Sequence, residues 1–231
     1  MPMNRMVRRS GVAVCLIADL LKWSPTSIYQ VGVGLSFKEV DAMVEMWPLV
    51  PIVGHEPHPI TYRDVKGVYP GYLHNIAISN FVGKTKLHSK SRHRDGASLF
   101  EHLKKGDKDL MFEVGVTTLD ALYPKGPKGK QTLLWLDCEG SELDALKGAE
   151  NFIKSVEFIN VEMSARGLGS GACNTVDTHN WLLEHGFFRQ WIHTQRTSAG
   201  QYDAIYVRQR LFQPTYCCCP CQIQGEKCGS K

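Results

Sequence analysis

The sequence lacks an apolar run long enough to cross a membrane. The run Gly11–Leu21 is far shorter than the ~20 apolar residues that a spanning helix needs. Arginines precede it, as in a signal peptide, but it contains Asp19 and leads to Pro25 without a small-residue cleavage site. We therefore expect residues 1–26 to form an amphipathic helix that packs on the domain of a cytoplasmic protein. A secreted or membrane-anchored protein is the alternative.

The sequence also lacks a strong excess of charge of either sign. It has 27 Lys and Arg against 23 Asp and Glu, for a net charge of +4, which is not the profile of a dedicated nucleic-acid binder. Between Lys84 and Lys108, however, eight basic residues stand against three acids, and Lys125–Lys130 is a second basic cluster. Such a patch is either a solvated surface or a rim that attracts an anionic substrate.

The eight cysteines lack the spacing of a disulfide framework or of paired Cys-x-x-Cys zinc knuckles. Five of them crowd the segment Cys217–Cys228, among residues that cannot build a core. We expect residues 211–231 to be a flexible, thiol-rich tail. A thiolate metal site or acylation is the alternative.

The rest of the chain alternates apolar runs with helix-like segments, which is typical of a parallel sheet covered on both faces. Residues 27–210 suffice for one such domain. We interpret Asn80–Gly115 as a hairpin or loops with one short helix around Ser98–Lys104. The predicted strands are Ser27–Val33, Pro51–Glu56, Leu73–Ser79, Gln131–Asp137, Val156–Glu162, Phe187–Trp191 and Asp203–Arg208, the last two antiparallel. The predicted helices are Ser36–Trp47, Ile60–Tyr69, Thr118–Leu122, Ser141–Phe152 and Val176–Gly186.

The turn after the first predicted strand lacks the third glycine of the dinucleotide fingerprint. Gly32 and Gly34 let the backbone approach a ligand closely. Three residues after Gly34 the chain has Phe37, which disfavours a nicotinamide or flavin oxidoreductase. Glu56, at the tip of the second strand, is placed to accept hydrogen bonds from both hydroxyls of a ribose. Each feature alone has a structural alternative, a tight turn or a solvated acid; together, at this spacing, they favour nucleoside binding.

At this point five segments, in order and spacing, resemble the FkbM-type class I methyltransferases. The stretch Leu136–Glu150 (LDCEGSELDALKGAE) is the most specific of them, because a segment of that form is uncommon elsewhere. The other four are Val31–Gly34, Glu56–Pro59, Asn75–Ser79 and Val116–Leu122. The resemblance implies an α/β Rossmann-like class I methyltransferase fold, with a mostly parallel seven-stranded sheet and helices on both faces.

The same resemblance implies S-adenosylmethionine (SAM) as cofactor. It puts Gly32 and Gly34 under the methionine part, Glu56 on the ribose, and Ala77 and Ile78 at the edge of the adenine. One departure is Gln30, where the family usually has an acid, so a degenerate cofactor-binding module without catalysis is the alternative to an enzyme. The cofactor-binding residues carried over by position are Gln30, Gly32, Gly34, Glu56, Pro57, Ala77, Ile78, Asp95, Ser98 and Asp137, with Asp95 and Ser98 completing the adenine wall.

The implied reaction is O-methylation of a small molecule or sugar, and its acceptor hydroxyl needs a base to remove the proton. Asp137 is the first candidate for that base, followed by Glu139, Glu162 and His185. The three acids could also hold a hard cation such as Mg²⁺, but acids at strand ends are not enough to predict a metal site. The sequence defines neither the acceptor nor the oligomeric state.

Overall fold

The computed structural model describes residues 10–90, 93–101, 109–164, 174–194 and 200–212; the side chains of residues 38, 90, 93–95, 109, 193 and 194 lie outside this description. The predicted tail 211–231 falls almost entirely outside it, as do residues 102–104 of the predicted helix around Ser98–Lys104; the described residues 98–101 of that segment are not helical. No helix within the described part is long and apolar enough to span a bilayer.

Seven strands form the main sheet, in the spatial order β10-β11-β9-β8-β1-β2-β3. In this spatial order, the neighbouring strands β9, β8, β1, β2 and β3 run parallel to one another. Strand β11 runs antiparallel to both β9 and β10. The sheet is thus mostly parallel, as predicted, with its only antiparallel pairs at the predicted place. Its strands are β1 (Ser27–Val31), β2 (Ile52–His55), β3 (Tyr72–His74), β8 (Thr132–Leu136), β9 (Val156–Ser164), β10 (Phe187–Thr194) and β11 (Gln201–Arg208).

Helices cover both faces of the main sheet. Its central strands are therefore buried on both sides. Helices α1 (Ser10–Leu20) and α2 (Lys38–Met46) pack together on one face, where Val14 and Met43 join the sheet residues Ile28 and Trp135 in one core. On the other face lie α5 (Glu142–Lys147) and α6 (Thr175–Glu184). The remaining helices are α3 (Pro59–Val65), α4 (Leu119–Leu122) and the 3₁₀ helices Phe152–Ser155 and Gln209–Phe212.

The third predicted strand, Leu73–Ser79, is wrong as one continuous element. The chain leaves the main sheet after His74, and the side chain of Asn75 donates hydrogen bonds to the backbone oxygens of Glu56 and Pro57, at 2.8 and 3.2 Å. A second, four-stranded sheet then forms in the order β4-β7-β5-β6. Its strands are β4 (Ala77–Ile78), β5 (Gly83–Lys90), β6 (His93–Ser98) and β7 (Asp109–Thr117). The region predicted as a hairpin or loops is therefore largely strand.

Candidate active site

The turn after β1 requires glycine because two strand ends meet there. Gly32 and Gly34 have φ values of 79° and 65°, in the left-handed region that favours glycine. A Cβ atom added to Gly32 would lie 1.7 Å from the backbone oxygen of Asp137, at the end of β8. The turn therefore lies directly against the start of the loop that follows β8.

Glu56 fastens this turn to the end of β2. Its side chain is only 5% exposed, and one carboxylate oxygen accepts hydrogen bonds from the backbone N–H groups of Val33 and Gly34, at 3.2 and 2.8 Å. The other oxygen accepts a 2.8 Å bond from the N–H of His58. Three backbone donors on a carboxylate favour its ionised form. An acid here therefore shapes the glycine turn as well as facing the cleft.

A cleft opens between the carboxyl ends of the strands and the second sheet. One wall is apolar and comes mainly from the second sheet and the residues next to it, with Ala77, Ile78, Leu87, Ala97 and Leu99. The opposite wall carries the glycine turn and the acids after β8 and β2, so an apolar group and a polar, cationic group can bind side by side. Its residues include Gly32, Gly34, Glu56, Pro57, Asp137 and Glu139.

Three carboxyl groups lie together at the acidic end of the cleft. Oxygen atoms of Asp137, Glu139 and Glu162 all lie within 4.8 Å of one another. Burial and the neighbouring Glu162 raise the pKa of Asp137 well above its usual value; burial and the carboxylate of Glu139 raise the pKa of Glu162 to about 8. Because two ionised carboxylates this close repel each other, the cluster favours a proton on one of the two.

The loop that presents Glu139 has an unusual backbone. Glu139 has a φ of 53°, a left-handed conformation that costs a residue other than glycine about 1–3 kcal/mol and clusters at functional sites. Glu142 holds the loop in place, since its carboxylate accepts hydrogen bonds from the N–H groups of Cys138 and Gly140, at 3.0 and 3.1 Å. From the second sheet, the Ser98 hydroxyl donates a 2.7 Å bond to the backbone oxygen of Glu139.

The profile of the methyltransferase FkbM domain matches residues 42–195, from α2 to the end of β10. The chain belongs to this family. The matched segment contains Glu56, the strands β4, β5 and β6 that supply the apolar wall of the cleft, and all three clustered acids. The glycine turn lies just before it. None of the curated proteins matches the chain in sequence.

Several solved methyltransferase structures are similar to the chain at low identity. The magnesium protoporphyrin IX methyltransferase of Synechocystis PCC 6803, with bound SAM, is 11% identical over 86% of this chain and 77% of its own, with a TM-score of 0.47. A plantazolicin methyltransferase in complex with SAH is 11% identical over 89% and 84%, with a TM-score of 0.48. A precorrin-6y C5,15-methyltransferase of Geobacter metallireducens GS-15 is 9% identical over 84% and 85%, with a TM-score of 0.42.

Two predicted site residues of this FkbM-family chain lie away from the cleft, and two others, Ser98 and Glu162, contact its acidic residues without lining it. Gln30 is buried behind it, where its side-chain oxygen accepts a 2.9 Å hydrogen bond from the hydroxyl of Tyr69. The acid that the family usually has at position 30 would therefore lie in the core behind the turn. Its replacement by Gln30 removes no charge from the cleft wall. His185 stacks on Trp181 at the end of α6 and bonds to the Trp181 backbone oxygen, at 2.7 Å, so it is not positioned as the base. The side chain of Asp95 lies outside the described residues.

Sequence reasoning missed two residues of the site. The side-chain amide of Gln201 donates hydrogen bonds to Glu162 and Glu139, at 3.2 and 3.4 Å. Gln201 lies close to these acids because β11 pairs antiparallel with β9. No local sequence pattern predicts the register of that pairing. His55 lines the cleft from the end of β2, and only its position just before Glu56 could have signalled it.

The ring of His55 is neutral. Its Nδ1 lies 2.9 Å from the backbone oxygen of Gln30, which can only accept, so Nδ1 carries the proton. Nε2 then accepts a 2.8 Å bond from the hydroxyl of Tyr123. Burial lowers the pKa of His55 to about 4. His55 therefore acts as a fixed connection between the glycine strand and Tyr123.

Proposed function

We propose that this FkbM-family protein binds SAM in the cleft and transfers its methyl group to a hydroxyl of a small molecule or sugar. The observation that carries the proposal is the closeness of the Asp137 and Glu162 carboxyl groups, whose oxygens lie within 4.8 Å of each other and of Glu139 at the acidic end of the cleft. Such a pair is a base whose strength suits a hydroxyl acceptor.

The two walls of the cleft support SAM as the ligand. The apolar wall around Ala77 and Ile78 suits an adenine ring, and Glu56 lies between this wall and the glycine turn, where the ribose would lie. The methionine end of SAM carries a sulfonium and an ammonium group. Their positive charges would be attracted by the clustered acids in surroundings of low dielectric constant.

The chemistry is an in-line displacement in which the acceptor oxygen attacks the methyl carbon. The new O–CH₃ bond forms as the C–S bond breaks, and the sulfonium becomes the neutral thioether of S-adenosylhomocysteine (SAH). The hydroxyl proton passes to Asp137 or Glu162, whichever is ionised. A raised pKa makes such a carboxylate a stronger base, provided that it stays partly ionised at the working pH.

Activity is therefore expected to depend on the ionisation of this pair. We expect the rate of methyl transfer to rise with pH until about 8, where Glu162 loses its proton. Glu162→Gln should lower kcat by about 10²-fold, the usual contribution of a general base, while SAM binding persists. The measurement is transfer of tritiated methyl groups to a panel of glycans and small hydroxyl compounds, with calorimetry for SAM. Glu184→Gln, an exposed acid at the end of α6, is the control.

Other outcomes of the same experiment favour the alternatives. SAM binding with no transfer to any acceptor would favour a binding module without catalysis. Loss of activity in EDTA, restored by Mg²⁺, would assign the three acids to a divalent cation instead of a shared proton. Quenching of tryptophan fluorescence by NADH but not by SAH would point to an oxidoreductase.

A further inference from the structure

A second, larger recess lies on the α5/α6 side of the main sheet, over β1, β2 and β3. Its cavity volume is about 800 Å³, and it is larger than the cleft. Tyr29, Val53 and Tyr72 are register neighbours across the three strands and form its floor. Leu122 of α4 borders the recess, and Tyr72 in its floor is 65% exposed.

The recess is separate from the cleft because a layer of aromatic rings stands between them. His55 and His74 stack with their ring centroids 5.4 Å apart, and Tyr123 packs edge-on against His55. The bond from the Tyr123 hydroxyl to His55 Nε2 fixes this layer. His55 faces the cleft, whereas His74 and Tyr123 line the recess.

The lining of the recess has two chemical characters. The floor and one side are aromatic, with Tyr29, Tyr72, His74 and Tyr123, a set suited to stacking and edge-on contacts with a flat ring. Exposed Lys125 and Lys128 stand at the edge, and the described lining residues include no carboxylate. The backbone N–H of Lys128 donates a 3.1 Å bond to the Tyr29 hydroxyl, which holds the lysine segment beside the floor.

We propose that this recess is a second ligand site that takes a planar aromatic anion. The ring lies on the tyrosine floor, and the anionic group faces Lys125 and Lys128 at the edge. A neutral ring would gain the apolar contacts alone, and an anion without a ring would gain only the weak attraction of exposed lysines. The combination sets this site apart from the acidic cleft, which favours cations.

Two fluorescent probes that differ by one charged group test the proposal. The first is 1-anilinonaphthalene-8-sulfonate, and the second is N-phenyl-1-naphthylamine, which has the same rings without the sulfonate. We expect the sulfonate to bind the full chain saturably, with one molecule per chain. The double variant Lys125→Glu/Lys128→Glu should weaken sulfonate binding about tenfold and change binding of the neutral probe by less than about twofold.

Matched variants separate the recess from other apolar surfaces. Lys130→Glu, an exposed lysine of the same segment outside the recess lining, should leave binding of both probes unchanged. Tyr72→Ala should weaken both probes, because it removes part of the floor. Equal weakening by Lys130→Glu, displacement of the sulfonate by SAH, or the absence of saturable binding would overturn the proposal. Circular dichroism checks that each variant is folded.

Discussion

At the scale of single residues, the acids after β8 and on β9 lie close together at a cost in stability. Glu162 is buried beside two other carboxyl groups and accepts a hydrogen bond from the side-chain amide of Gln201. Like charges at this distance disfavour ionisation of the whole cluster. The fold therefore holds a proton here that the unfolded chain would release.

This predicts how the free energy of unfolding varies with pH. An ordinary Glu side chain loses its proton near pH 4.5, whereas folded Glu162 keeps it until about pH 8. The folded state binds more protons between these values, so stability falls as the pH rises from about 4.5 to 8. Glu162→Gln removes this penalty, and we expect its Tm at pH 9 to exceed that of the wild type by about 3 °C or more.

Thermal unfolding followed by circular dichroism at pH 5 and pH 9 is the measurement. The difference between variant and wild type should shrink at pH 5, where Glu162 is protonated in the folded protein. Glu184→Gln, at an exposed position, should give equal Tm shifts at both pH values. A Glu162→Gln variant that is less stable than the wild type at pH 9 would contradict the shared-proton interpretation.

At the scale of elements, the second sheet forms the cleft together with the strand ends of the main sheet, because it supplies the apolar wall. It supplies apolar wall residues such as Ala77, Leu87 and Ala97. The Ser98 hydroxyl connects this sheet to the loop after β8 by a hydrogen bond to the backbone oxygen of Glu139. The geometry of the apolar wall relative to the acids depends on this bond.

We therefore expect Ser98→Ala to reduce the free energy of SAM binding by more than it reduces the free energy of unfolding. Loss of one buried hydrogen bond costs about 1 kcal/mol, which corresponds to roughly fivefold in the Kd for SAM. Calorimetry gives the Kd, and urea unfolding gives the stability. Thr85→Ala, on β5 of the same sheet, is the control and should leave the Kd unchanged. An unchanged Kd in Ser98→Ala would mean that the second sheet is positioned by its core alone.

At the scale of the whole molecule, positive charge is concentrated on the second sheet while the net charge stays modest. Lys84 and Lys86 are exposed on β5, and Lys84 pairs with Glu113 at 2.7 Å. An exposed pair of this kind adds little stability. We interpret the surface instead as a rim that raises the local concentration of an anionic acceptor, such as a phosphorylated sugar.

Charge reversal tests this role. Lys84→Glu/Lys86→Glu should lower kcat/KM for an anionic acceptor severalfold at low salt and much less at 0.5 M salt, because screening removes long-range attraction. A neutral acceptor should be unaffected in both conditions and serves as the internal control. If turnover of the anionic acceptor is unchanged at low salt, the rim is only a solvated surface.

The sequence by itself determined the class of the fold and the family. The alternation of apolar runs with helical segments predicts a mostly parallel sheet, and the prediction that the last two strands are antiparallel is confirmed. Motifs such as Leu136–Glu150 are continuous in the sequence, so they can be identified without the tertiary structure. The roles of individual site residues remain proposals.

Only the tertiary structure decided which side chains face each other. Leu73–Ser79 reads as one apolar strand, yet it divides between two sheets because Asn75 bonds to the end of β2. Gln30 lies behind the cleft, where it accepts a hydrogen bond from Tyr69, a residue distant in sequence. Gln201 lies beside the acids because β11 pairs antiparallel with β9. Local sequence patterns report the burial and period of a segment, whereas such contacts depend on register and on partners far along the chain.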